Sequence, residues 1–211
     1  MRRTLKQIAS WLAVVVALPL AMSYRLATLV LCRQSCFATL AQCVSLLPGK
    51  CGIYFRRGLY RQLLPVCGPD SQVGFAVLLT SPDTCLGAHC YIGPFSILGD
   101  VVVEADVLIA SHVSIINGAR QHGAERCDVS IREQAGTLPR VTIGAGSWIG
   151  ERAVVMADVG RHCIVGAGAV VTQPIPDYAV AMGVPARVQR FREPADPRAV
   201  AANELATAGT A

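Results

Sequence analysis

Through Val141–Val171 (VTIGAGSWIGERAVVMADVGRHCIVGAGAVV) an aliphatic residue returns at every sixth position, a spacing that very few folds accommodate. Ile143, Ile149 and Val155 make one run and Val159, Val165 and Val171 another, with Gly144, Gly150, Gly160 and Gly166 each following its aliphatic. Ser147, Ala153, Cys163 and Ala169, all small, stand four places after theirs. A helix repeats near 3.6 residues and a strand alternates, so a period of six fits neither. It suits a solenoid of short strands and tight turns in which one aliphatic per side points inward.

The same register returns upstream at Leu86, Ile92 and Leu98, then at Val103, Ile109 and Ile115. The fourth places after these, Cys90, Ser96, Val102, Val107, Val113 and Ala119, hold small side chains, as a narrow interior requires. The step from Leu98 to Val103 is five residues and that from Val155 to Val159 only four, which predicts a bulge or shortened turn near Asp100 and near Asp158.

Of the 211 residues 53% are hydrophobic, with a mean hydropathy of +0.45, more apolar than an ordinary soluble chain. Much of that excess lies ahead of the repeat. Gln7–Tyr24 carries no charge and would extend roughly 27 Å as a helix, close to the thickness of a hydrocarbon core. Met1-Arg2-Arg3 and Lys6 in front of it would hold the N-terminus in the cytoplasm, whereas Pro19 and Arg25 weaken a simple spanning helix. A second apolar run, Leu26–Leu47, is broken by Arg33. A spanning or hairpin anchor, a helix lying in the interface, a cleavable leader and a cover for the solenoid's open end all remain open. Tyr54–Leu64 then reads as a short basic amphipathic helix with Arg56, Arg57 and Arg61, suited either to an anionic surface or to capping the first strand edges.

The formal charge of +5 is not accompanied by an aromatic-basic motif, so no nucleic-acid partner is expected. Nine cysteines without a CxxC pair favour a reduced compartment with buried thiols over a disulfide framework. Past Arg192 the alanine-rich tail, 194–211, is expected to be disordered.

Between Ile115 and Val141 the repeat stops, and Asn117–Arg140 (NGARQHGAERCDVSIREQAGTLPR) is polar, charged and too long to be a mere connection. Its one histidine is His122, and imidazole is the side chain suited to taking and returning a proton near neutrality.

The hexads, this loop, Val141-Thr142-Ile143-Gly144 leading to Trp148-Ile149-Gly150, Val165-Gly166-Ala167-Gly168-Ala169-Val170-Val171 and the closing Gly183-Val184-Pro185-Ala186-Arg187 together resemble the hexapeptide-repeat acyltransferases, in their polysaccharide and sugar O-acetyltransferase branch. The resemblance implies a mainly β fold, a left-handed parallel β-helix with N-terminal helices and an extruded catalytic loop. It implies a homotrimer with acetyl-CoA as acyl donor in the groove between neighbouring prisms, a sugar or glycan acceptor and no metal. By the same resemblance His122 is the general base, Gln121 and Glu133 orient it or bind the acceptor, and Trp148, Ala167, Thr172, Gln173, Arg187 and Arg190 contact the donor. Gln121 stands where the family commonly has asparagine, and Gln173 where relatives often have lysine. The implied activity is O-acetyl transfer to a glycan hydroxyl at the cytoplasmic face of the inner membrane, peripheral or N-terminally anchored.

A cytoplasmic enzyme acting on serine, maltose or xenobiotics is the alternative. A zinc enzyme resembling the γ-type carbonic anhydrases would need three histidine ligands, and His89, His112, His122 and His162 lack that spacing. A non-catalytic scaffold is the remaining alternative. The expected organisation is an apolar helical segment 1–47, a basic helix and linker 48–72, the β-helix 73–193 with its loop 117–140, and the tail.

Overall fold

The computed structural model describes residues 2–193; the tail 194–211, with its expected disorder, lies outside them. Three helices, α1 (Arg2–Ala27), α2 (Arg33–Ser45) and α3 (Gly49–Leu63), precede a left-handed parallel β-helix of about six coils. Each coil contributes one short strand to each of three parallel sheets. The first sheet stacks Cys67, Leu86, Val103 and Ile143, continued by single bridges to Val159 and Ile175. The second stacks Val73, Ile92, Ile109, Ile149, Val165 and Ala181, and the third Leu79, Leu98, Ile115, Val155 and Val171.

All twelve aliphatics of the sequence register point into the prism, each at most 2% exposed. The ladder begins earlier than residue 73, because Val66–Cys67 and Gln72–Val73 already pair with the next coil. Val66 onward therefore belongs to the solenoid and not to a linker. Of the fourth places, Cys90, Ser96, Val107 and Val113 are buried as expected. Val102 is only half-buried and Ala119 is exposed. The five-residue step moves the inward small position one place back, to the fully buried Val101, and Ala119 already belongs to the loop.

Both irregular steps are shortened turns. Only Gly99 and Asp100 separate Ile97–Leu98 from Val101–Val103, and only Met156, Ala157 and Asp158 separate Val154–Val155 from the bridge at Val159. The coils close at the C-terminus with an antiparallel hairpin, Ala179–Met182 against Arg187–Phe191, laid on the second sheet.

The helices cap the N-terminal end. Phe37, Ala41 and Val44 of α2 and Leu59 and Tyr60 of α3 share one core with Val73, Val77 and Leu79 of the first coil. Of the two roles open to the helix of Arg56, an anionic surface or a cap on the first strand edges, this residue serves the cap: it is fully buried. Its Nη1 donates to the carbonyls of Val44 (3.1 Å), Ser45 (3.3 Å) and Leu47 (2.7 Å), and its Nε to that of Val73 (3.0 Å). One guanidinium thus satisfies the carbonyl end of α2, where a cation is favoured, and ties it to the first coil. Arg57 is also buried, pairs with Asp70 at 3.1 Å and lies over the Tyr54 ring. Both arginines serve the cap, and Arg61 alone of the three is exposed.

All nine cysteines are free thiols, but only Cys90 and Cys163 are buried; Cys32, Cys43, Cys51 and Cys127 are exposed. The expectation of buried thiols fails because most of them sit on helix exteriors or in the loop instead of in the hexad interior.

Candidate active site

The shortened turn at Asp100 is the foundation of the loop. Asn117 accepts a hydrogen bond from the Asp100 N–H (2.9 Å) and donates to the carbonyls of Asp100 (2.8 Å) and Pro139 (2.9 Å), so one amide holds both ends of the excursion. Arg140 adds an ion pair to Asp100 at 2.8 Å and donates to the Asp83 carbonyl at 2.9 Å. The hydrogen bond to Asp100 raises the Arg140 pKa further.

Within the loop the chain doubles back. Thr137 N–H donates to Arg120 O (2.7 Å) and Gly123 N–H to Gln134 O (3.4 Å), with His122 between the two rungs. The Gln134 side chain braces the tip by donating to Arg126 and Val129 carbonyls and accepting from the Arg126 N–H. The return segment passes so close that a Cβ on Gly136 would collide with the Gln121 carbonyl and lie 2.6 Å from the His122 nitrogen, so only glycine fits there.

His122 is exposed and Gln121 half-buried. Gln121 lines a groove of about 570 Å³ with Asn117, Leu138, Asp100, Ile97 and Ile116. Glu133 is held in a short 3-10 turn, Ile131–Glu133, and lines a separate hollow with Glu125, Arg126 and Val129. No hydrogen bond or ion pair joins Glu133 to His122 among the described residues.

The remaining candidates fall into two groups. Thr172 and Gln173 occupy the corner between the third and first sheets, the corner that emits the loop two coils earlier. Trp148 is on the outer side of the second sheet, 50% exposed, between Leu108 and Ile164. Ala167 is an exposed corner residue between the second and third sheets, and Arg187 and Arg190 are exposed on the closing hairpin over the second sheet. A single chain therefore presents the histidine loop at one corner and Trp148 on another face.

The other histidines have structural posts. His89, His112 and His162 all take left-handed backbone at coil corners, and each donates its N–H to the coil before it, to Pro69, Pro94 and Ala145. His112 stacks on Phe95 with ring centroids 5.0 Å apart, and His162 on Tyr178 at 5.3 Å. Among the described residues no three His, Cys, Asp or Glu side chains converge on a point where a metal would bind.

Residues 140–173 match the bacterial transferase hexapeptide model (six repeats). Over these residues the chain is similar to the hexapeptide-repeat transferases. Galactoside O-acetyltransferase of Escherichia coli K12 is 46% identical over 93 residues, which are 43% of this chain and 43% of that protein. The chain spans less than half the length of the curated relatives it matches. Among solved hexapeptide-repeat structures, the acetyltransferase VCA0836 of Vibrio cholerae superimposes with a TM-score of 0.67 at 19% identity, covering 78% of this chain and 96% of that one. A galactoside acetyltransferase solved in complex with coenzyme A gives 0.64 at 21% identity, covering 77% and 84%. At these identities the two structures establish the hexapeptide-repeat fold.

Asn117, Arg140 and Gly136 escaped the sequence reading. Asn117 and Arg140 bound the interruption of the hexads, and that position was their one visible signal.

Proposed function

We propose that this chain is an acetyl-CoA-dependent O-acetyltransferase acting on a sugar or glycan hydroxyl, with His122 as general base. The observation that carries the reading is the loop 117–140, pinned at both ends by Asn117 and narrowed by Gly136, in which exposed His122 directly follows Gln121, a residue lining an open groove. Its relatives include a galactoside O-acetyltransferase and a dTDP-amino-sugar N-acetyltransferase, which favours a sugar acceptor.

In the reaction, an imidazole nitrogen of His122 takes the proton of the acceptor hydroxyl as its oxygen attacks the thioester carbonyl carbon. The resulting tetrahedral adduct collapses with cleavage of the carbon–sulfur bond, and the imidazolium returns the proton to the departing thiolate. Thr172, Gln173 and Ala167 offer main-chain and polar groups to the pantetheine arm, and Arg187 and Arg190 supply charge for the phosphates. Trp148 contacts the donor, and Gln121 contacts the acceptor side of the groove. Glu133 is an acceptor-binding candidate only through its place on the loop.

The assembly is a homotrimer. Tyr91, Leu108 and Trp148 form an exposed apolar row on adjacent strands of the second sheet, a surface that a neighbouring prism would cover. Such packing brings one subunit's loop to the next subunit's Trp148, which a single chain does not do. We place the enzyme on the cytoplasmic face of a membrane in a surface-polysaccharide pathway, on the strength of its apolar N-terminal helix.

Substitution His122→Ala is the test. Turnover should fall roughly 10²- to 10⁴-fold with donor affinity retained. Unchanged turnover would remove His122 from the chemistry, and failure to bind coenzyme A at all would overturn the transferase reading.

A further inference from the structure

We infer that α1 and the turn after it form a docking face that sinks side-on into an anionic lipid bilayer without crossing it. This deepens the membrane placement proposed above and rests on it, but not on the acetyl-transfer chemistry.

The orientation of α1 is the inverse of that in a water-soluble helix. Its buried stripe is Ala13, Ala17, Ala21 and Tyr24, small residues but for the last. Its opposite side carries Trp11, Leu12, Val15, Leu18, Met22 and Leu26, all exposed, with Trp11 at 73%. A helix covering a core turns its bulky apolar side chains inward and its polar ones to water. A helix between protein and lipid turns small residues to its neighbour and large apolar ones to acyl chains. The turn Leu29-Val30-Leu31 extends the same surface, with Val30 87% exposed. On either side α1 is flanked by apolar grooves of about 630 and 760 Å³, one against α2 at Tyr24, Leu31 and Leu40, the other against α3 at Leu47 and Phe55.

Charge selects the lipid. No acidic residue occurs before Asp70, whereas nine basic ones do. Arg56 and Arg57 are consumed by the cap and Arg33 pairs with Asp83 at 2.8 Å, while Arg25, Lys50 and Arg61 remain exposed around the helices. Cations of one sign beside an apolar face fit anionic headgroups.

Ala9–Ala27 is long and apolar enough to span a bilayer, but its attachment forbids that pose. At the crossing with α3 a Cβ on Gly58 would lie 2.5 Å from the Ala13 carbonyl, so the two backbones touch. Gln62 donates to the Val14 carbonyl and Arg25 to that of Gln62, each at 3.1 Å. Because α3 is locked to the first coil through Arg56, upright insertion of α1 would either carry that coil into hydrocarbon or tear these contacts apart. The helix therefore lies in the interface plane.

The experiment mixes the full chain with phosphatidylglycerol/phosphatidylethanolamine vesicles and, separately, with phosphatidylcholine vesicles. We expect flotation with the anionic vesicles, a blue shift of Trp11 fluorescence in a Trp148→Phe background, release by alkaline carbonate, and at least a tenfold loss of partitioning in the Val15→Glu/Met22→Glu variant. Circular dichroism of that variant should match the parent. Absence of binding, binding unaffected by the double substitution, or resistance to carbonate extraction would each overturn the inference; the last would mean that α1 spans. So would a larger assembly that the double variant dissolves without any vesicle affinity, since the face would then belong to a second copy. Thioester cleavage with a soluble sugar, measured in parallel, separates the readings: activity without vesicle binding sinks this inference alone, and vesicle binding without activity sinks the transferase alone.

Discussion

The Asn117 carboxamide and the backbone of Asp100 form a reciprocal pair, the N–H of Asp100 donating to Oδ1 at 2.9 Å while Nδ2 returns a hydrogen bond to its carbonyl at 2.8 Å. This pair stands where the third coil gives way to the loop, and the same Nδ2 reaches the Pro139 carbonyl on the returning segment. The loop thus leaves and rejoins the solenoid through a single side chain.

Asn117→Ala removes three hydrogen bonds, each worth about 1 kcal/mol net. Their loss should free the loop to sample misplaced positions of His122 while the coils stay paired. Turnover should drop roughly 10- to 100-fold at a temperature well below the unfolding transition, with the donor KM nearly unchanged and the melting temperature lower by only several degrees. A fall in melting temperature that accounts for the lost activity would make Asn117 a structural residue and not a positioning one.

Arg56→Met leaves the carbonyls of Val44, Ser45, Leu47 and Val73 without their donor inside a closed cap. The cost should be roughly 3–5 kcal/mol of cap stability, seen as a lower urea midpoint. Arg56→Lys, which keeps the charge but not the fork, should lose less. Equal stability of the methionine variant and the parent would show that the guanidinium is not what fastens the helices.

Co-expressed His122→Ala and Trp148→Ala subunits test the shared site. If each site takes its histidine and its tryptophan from different subunits, random trimers carry roughly a quarter intact sites, so activity returns above either parent variant. Mixed preparations no more active than the separate ones would place both residues in the same subunit's site.

Thiol reactivity should separate with pH. Hydrogen bonds from the Ser35 and then the Gln34 backbone at the start of α2, with the Ser35 side chain, lower the pKa of exposed Cys32, whereas desolvation of the half-buried Cys67 thiol against the cap pushes its pKa up to about 11. Since the thiolate is the reactive form, Cys32 should alkylate at lower pH than a free thiol, and Cys67 only near or above pH 11 unless the chain unfolds. Peptide mapping after iodoacetamide at pH 7 and pH 9 reads this directly. Labelling of Cys67 ahead of Cys32 would contradict the burial described.

The solenoid was legible in the sequence because its interior admits one inward aliphatic per side, so geometry writes itself as a period. Even the irregular steps at Asp100 and Asp158 could be read, since a missing residue shortens a turn wherever it falls. The first coil was missed because Cys67 breaks the aliphatic pattern at its first position. The choice between surface and cap stayed open for the helix of Arg56 for a different reason: a helical wheel reports which residues share a side, and cannot report that carbonyls of another helix wait there. The loop announced itself by interrupting the period, but nothing local in its sequence says that Asn117 ties its ends or that Gly136 passes against His122.

The helical cap packs on the first coil, the loop leaves from the third, and successive coils rise by about 4.8 Å. With two helical layers beneath, each roughly 8–10 Å thick, His122 stands on the order of 30 Å above the outer side of α1. If that side is sunk in lipid, the number of coils is a height adjustment: a chain with one coil more or fewer before the loop would hold His122 at a different distance from the bilayer with the loop itself unchanged.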